Sequence, residues 1–144
     1  MAGPDDTCGP VRFEEVEHTA DRALRIYGTT WEAFLINAAH GLNSILAPSP
    51  NRVAGPASKR VDLDAIDRES LLVAWLSELA YWAEVESLVF DRFEFTELAP
   101  EKVRATLGGR VAERLGRNVK AVTYHGLTII ERPEGFSATV VFDV

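Results

Sequence analysis

The chain has 144 residues, 47% of them hydrophobic and 26% charged, with 15 basic against 22 acidic side chains and a formal charge of −7. One domain of this size buries about 68–70% of its unfolded surface, so it needs no metal or disulfide to fold, and global disorder is excluded. The acidic balance argues against tight, sequence-independent nucleic-acid binding, which relies on Lys and Arg neutralising phosphates.

Cys8 is the only cysteine, so no internal disulfide framework exists. The longest compact apolar run, Leu71–Leu76, falls far short of the ~20 residues of a membrane span. Met1-Ala2-Gly3-Pro4-Asp5-Asp6 lacks the basic and apolar sections of a signal peptide. The expectation is a cytoplasmic protein with no membrane partner.

Residues 1–10, with two prolines, two glycines and two aspartates, are expected to form a flexible tail ahead of a domain at 11–144. Phe13 and Val16 mark a short first strand. After His18-Thr19-Ala20-Asp21, the alternation of Leu24 and Ile26 with Arg22, Arg25 and Tyr27 predicts a second strand ending at Gly28. Thr29 and Glu32 have capping-box spacing, and Phe34, Ala38, Leu42 and Ile45 follow at helical intervals, predicting a helix over about 30–46. Three prolines and one glycine within 47–58 read as a loop. Val61 and Leu63 then alternate with charged residues as a strand. Asp67 caps a long helix to about Ser87, with Leu72, Trp75, Leu79 and Trp82 or Ala83 on one face.

Leu88, Phe90, Phe93 and Phe95 open an extended region. Val103, Ala105 and Leu107 form a strand expected to break at Gly108-Gly109. The β-branched and aromatic stretches 119–131 and 136–144 flank Arg132-Pro133-Glu134-Gly135, a hairpin turn. This order predicts an α+β domain, with mixed or antiparallel sheet and two main helices packed on one face.

Charge is uneven along the chain. Residues 1–100 carry 8 basic and 17 acidic side chains, and 101–144 carry 7 and 5. The basic groups of 102–120 read first as a solvated strand and loop, and second as a contact patch for an anionic partner.

Phosphate-binding loops, Cys/His zinc spacings and a serine nucleophile elbow are all missing from the sequence. Three polar features remain. His18-Thr19-Ala20-Asp21 interrupts the apolar pattern at a strand junction, where turn chemistry alone accounts for it. Lys120-Ala121-Val122-Thr123-Tyr124-His125 reads as a strand with Lys120, Val122 and Tyr124 on one side and His125 on the other. Asp143 is followed by Val144, which brings an α-carboxylate beside the Asp side chain. With Asp21 these would make three hard oxygen donors, suited to calcium, magnesium or manganese rather than zinc.

Taken together, His18-Thr19-Ala20-Asp21, Glu69-Ser70-Leu71-Leu72, Trp75-Leu76-Ser77-Glu78-Leu79, Lys120–His125 and Phe142-Asp143-Val144 resemble the archease family from about Phe13 onward. That resemblance implies an α+β domain and a non-catalytic protein. Its role would be to activate the tRNA-splicing RNA ligase that joins 3′-phosphate or 2′,3′-cyclic-phosphate ends, by promoting guanylylation of the ligase from GTP and multiple turnover. The family's divalent metal, calcium first, would fall on Asp21, Asp143 and the Val144 carboxylate. His18, Lys120 and His125 would be the further activating residues. Arg22 departs from the pattern, which calls for a small apolar residue; its charge would compete with a metal for a carboxylate. Two other readings stand beside this one, a general chaperone or binding module and a small metal-dependent hydrolase.

Overall fold

The computed structural model describes residues 12–16, 22–47, 53–113, 115–116 and 118–144. Eight strands and two helices follow in the order β1 (Phe13–Val16), β2 (Arg22–Gly28), α1 (Trp31–Leu46), β3 (Val53–Asp64), α2 (Arg68–Glu86), β4 (Leu88–Ala99), β5 (Lys102–Ala112), β6 (Ala121–Thr123), β7 (Ile130–Arg132) and β8 (Gly135–Asp143). All pairing is antiparallel, in two sheets: β1-β2-β8-β6 with β7 also on β8, and β3-β5-β4. The fold is α+β, and each helix touches both sheets.

Helix α1 starts one residue later than the capping-box spacing suggests. Thr30 is the N-cap, its hydroxyl accepting from the Ala33 N–H at 3.0 Å. Asp67 caps α2 through the Ser70 N–H at 2.8 Å, and this bond holds its carboxyl below the usual range. Ser87 closes α2 in the left-handed region at φ 55°.

One hydrophobic cluster joins the layers, including Leu24, Ile26, Phe34, Leu42, Leu72, Trp75, Phe90, Leu107, Val140 and Phe142. Buried ring N–H groups are satisfied across it: Trp75 donates to Leu35 O at 2.9 Å and Trp31 to Ala99 O at 3.1 Å. Asn43 of α1 donates to Phe90 O at 2.7 Å, which ties the helix to the second sheet.

Three expectations are corrected. Residues 53–58, read as loop, belong to β3: as an edge strand it tolerates Pro56, and a bulge lies between Val53 and Pro56. Gly108-Gly109 does not break β5, because both glycines admit close neighbours. A Cβ at 108 would stand 2.7 Å from Arg92 Nε, and one at 109 would stand 2.1 Å from Val89 O. The stretch 119–131 is not one strand either, since β6 ends at Thr123 and a turn with Gly126 at φ 63° precedes β7. The 132–135 hairpin forms as expected, with Gly135 at φ 139°.

The N-terminal tail, His18, Asp21 and the residues around Pro48 and Pro50 lie outside the described residues.

Candidate functional site

Strand β8 lies inside its sheet, with β2 on one side and β6 and β7 on the other, and its last residues build the candidate site. Phe142 points into the core and is fully buried, so the next residue, Asp143, turns to the opposite face and is exposed. Asp143 is opposite Ala121 in the ladder, and its carbonyl accepts from the Lys120 N–H at 2.7 Å. Lys120 and Asp143 are therefore neighbours on adjacent segments, both exposed. Neither side chain has a carboxylate or cationic partner among the described residues. Val144 is half-buried and packs against the core.

His125 is exposed in the turn beyond β6, so the strand alternation expected for 120–125 stops before it. Its N–H donates to Thr123 Oγ1 at 3.3 Å, and Leu127 N–H returns to Tyr124 O at 3.0 Å. The connection after the turn is held from α2: Glu69 Oε2 accepts from the Ile129 N–H at 3.0 Å. Sequence reasoning placed Glu69 only in a helix motif. A carboxylate in the first turn of a helix is stabilised by the helix dipole there, and this one also anchors the loop that follows His125.

At the other side of β8, Arg22 stands opposite Phe142. Its guanidinium is engaged by Glu15 across β1 and β2, which gives the cation a partner of its own.

Among the described residues no three His, Cys, Asp or Glu side chains gather into a metal-binding group. Of the expected donors, Asp143 is described and exposed, and its carboxylate is a hard oxygen ligand of the kind calcium and magnesium take.

The basic stretch 102–120 does not assemble into one patch among the described residues. Lys102 is 3.6 Å from Glu97, and Arg104 meets both carboxylate oxygens of Asp64 at 3.2 Å, with Asp62 at 3.8 Å. The same guanidinium donates to the carbonyls of Leu63 and Val103. Lys120 immediately precedes β6 of the other sheet. Large exposed apolar side chains are also dispersed: Ile66, Tyr124 and Ile130 come from separate segments, and Tyr81 and Val85 sit one turn apart on α2.

Comparison with known proteins gives the same grouping. Residues 13–144 match the model of the Archease protein family. The archease of Methanosarcina acetivorans is 34% identical over 141 residues, covering 92% of this chain and 96% of that protein. That of Methanosarcina mazei is 35% identical over the same shares. The solution structure of Methanobacterium thermoautotrophicum protein 1598 superposes with a TM-score of 0.69 at 26% identity, covering 92% of this chain and 99% of the other. A Thermotoga maritima archease, described as a possible chaperone, shares the fold at a TM-score of 0.66 and 20% identity, with 91% and 96% covered. Among the described residues no helix is long and apolar enough to cross a membrane. With its two helices, its antiparallel sheets and a family match running from β1 to the last residue, the chain belongs to the archease family.

Proposed function

We propose that this chain is a non-catalytic accessory protein of a 3′-phosphate or 2′,3′-cyclic-phosphate RNA ligase in tRNA splicing or RNA repair. Its task is to promote GTP-dependent guanylylation of the ligase and so sustain multiple turnover. The observation that carries this reading is the pairing of Lys120 and Asp143. Both residues are exposed, their main chains are joined by a 2.7 Å bond at the end of β8, and neither side chain has an ion-pair partner among the described residues. A partner can use both charges without first breaking a salt bridge.

In this proposal Asp21, Asp143 and the Val144 carboxylate hold a divalent ion, calcium first and magnesium or manganese otherwise. His18, Lys120 and His125 complete the contact with the ligase. A bound cation would supply positive charge at the ligase's nucleotide pocket. The chain's own residues orient it and supply complementary polar groups, a positioning and electrostatic role. No nucleophile with a paired base accompanies these carboxylates among the described residues, so the site offers little to a hydrolase mechanism.

The test is GTP-dependent guanylylation of the cognate ligase with and without this protein at substoichiometric amounts. Wild-type protein should accelerate it, whereas Asp21→Ala and Asp143→Ala should abolish stimulation while leaving the circular dichroism spectrum and melting temperature near those of the wild type. Full stimulation by both variants would sink the proposal.

A further inference from the structure

At the opposite end of β8 from Asp143 lies a cleft of about 520 Å³. That volume falls in the range of small-molecule sites. From Phe136, which borders it, to Asp143 is seven residues of extended strand, or about 24 Å. The cleft is thus separate from the carboxylate end.

Its floor is built by two glycines. The helix α1 backbone comes so close to Gly28 that a Cβ there would stand 2.4 Å from Phe34 N and Cα. Gly135, at φ 139°, brings the hairpin onto the end of β2, where a Cβ would stand 2.2 Å from Gly28 O. The hollow is therefore preformed by backbone contact and does not depend on mobile side chains. Tyr27, Ala33 and Phe136 make much of its wall apolar. Asn37 also lines it, oriented by the bond its amide nitrogen donates to Tyr27 O at 2.7 Å.

Charge supplies the second observation. Arg22, Arg25, Arg60, Arg68 and Arg104 each stand within ion-pair distance of a carboxylate. Arg12, Arg92, Arg110 and Arg132 have no such partner among the described residues. Two of these four, Arg12 and Arg132, border the cleft. Arg12 approaches it from just ahead of β1 and Arg132 from β7, on either side of the β2-β8 pair. In a chain of net charge −7, two guanidiniums with no ion-pair partner among the described residues, around one apolar hollow, are a local reversal of sign. Guanidinium groups bind carboxylate and phosphate oxygens with paired N–H donors. Among the described residues, Glu134 is the acidic group that lines it, and it tempers this attraction without cancelling it.

We infer that this cleft binds a small organic oxyanion, with its apolar body against Tyr27 and Ala33 and its carboxylate or phosphate group held by Arg12 and Arg132. The two headgroup chemistries share one recognition principle, and separate probes distinguish them. Binding here is independent of the ligase proposal, so the test reads occupancy of the cleft and not ligase stimulation.

Phenyl phosphate, benzoate and inorganic phosphate should each be titrated into the full chain, followed by ¹H–¹⁵N correlation spectra and calorimetry. Saturable shifts of the Thr29, Asn37 and Ser137 amides with phenyl phosphate or benzoate are expected. Arg12→Gln and Arg132→Gln should each weaken that binding about tenfold or more, Glu134→Gln should tighten it, and Asp143→Asn should leave it unchanged. Both arginines are exposed, so their substitution leaves the core intact. Absence of saturable shifts with both organic probes would overturn the inference. So would shifts that survive both arginine substitutions, or inorganic phosphate binding as tightly as phenyl phosphate.

Discussion

His40 shows how a single side chain links packing to pH. It lies half-buried on α1, edge-on to Phe93 with ring centroids 5.6 Å apart. Burial pushes its imidazole below the ordinary value of 6.5, and the Arg12 charge pushes the same way while Asp91 opposes them. The folded chain therefore holds this proton less tightly than the unfolded one, so acid favours unfolding. The His40 contribution to stability is complete above pH 6.5 and is lost as pH falls from there through the depressed folded value. Melting temperatures of His40→Gln should fall less than those of the wild type between about pH 7 and pH 5. Superimposable curves for the two proteins would refute this. No periodicity marks His40 for this behaviour, because its position on α1 gives no sign that Arg12, just ahead of β1, lies near it.

At the level of elements, the α2 cap and the face patterns were legible, the α1 cap read one residue early, and the bulges were not legible. The inward residues Leu88, Phe90, Phe93, Phe95 and Leu98 of β4 are spaced two, three, two and three apart. A regular strand would turn some of them to solvent. Register shifts between Phe90 and Arg92 and between Phe95 and Glu97 absorb the extra residues and keep the set facing the core. Such shifts depend on how β5 lies alongside, which a strand's own sequence does not encode. The glycines of β5 mislead for the same reason: Gly108 and Gly109 read locally as breakers, while their use is to admit Arg92 and the β4 backbone. By contrast, the start of α1 rests on a local bond. Thr30→Ala should destabilise the protein by about 1 kcal/mol, or roughly 2–4 °C in melting temperature, whereas Thr29→Ala should change it little. Equal effects of the two would show that the cap bond is unimportant.

For the molecule as a whole, the α+β class and the order of strands and helices could be read from the pattern, but the division into two sheets could not. Which strands pair is decided by contacts far apart in sequence, as β2 with β8 illustrates. Of the residues expected at the site, Lys120 and Asp143 are joined main chain to main chain, while Asp21 and His18 fall outside the described residues. Arg12 and Arg132 escaped notice because they are 120 positions apart and the hollow between them exists only once the sheet is formed. The proposed metal makes a prediction at this scale. An ion that binds only the folded chain stabilises it by about 2.7 kcal/mol at a hundred times its dissociation constant. Calcium should thus raise the melting temperature of the wild type, EDTA should reverse the rise, and Asp143→Asn should abolish it. If calcium, magnesium and manganese all leave the melting temperature unchanged, the metal is eliminated and the activator role stands without it.

The placement of β8 has a consequence for how the two ends of the molecule communicate. Its central residues Ala138 and Val140 are locked in the core, so the strand behaves as a stiff ruler that fixes the spacing of its ends. Groups about 24 Å apart with no shared partner contribute to free energy independently. A ligand in the cleft and a protein docked at Asp143 would then occupy the molecule together without competing, each as if the other were not there.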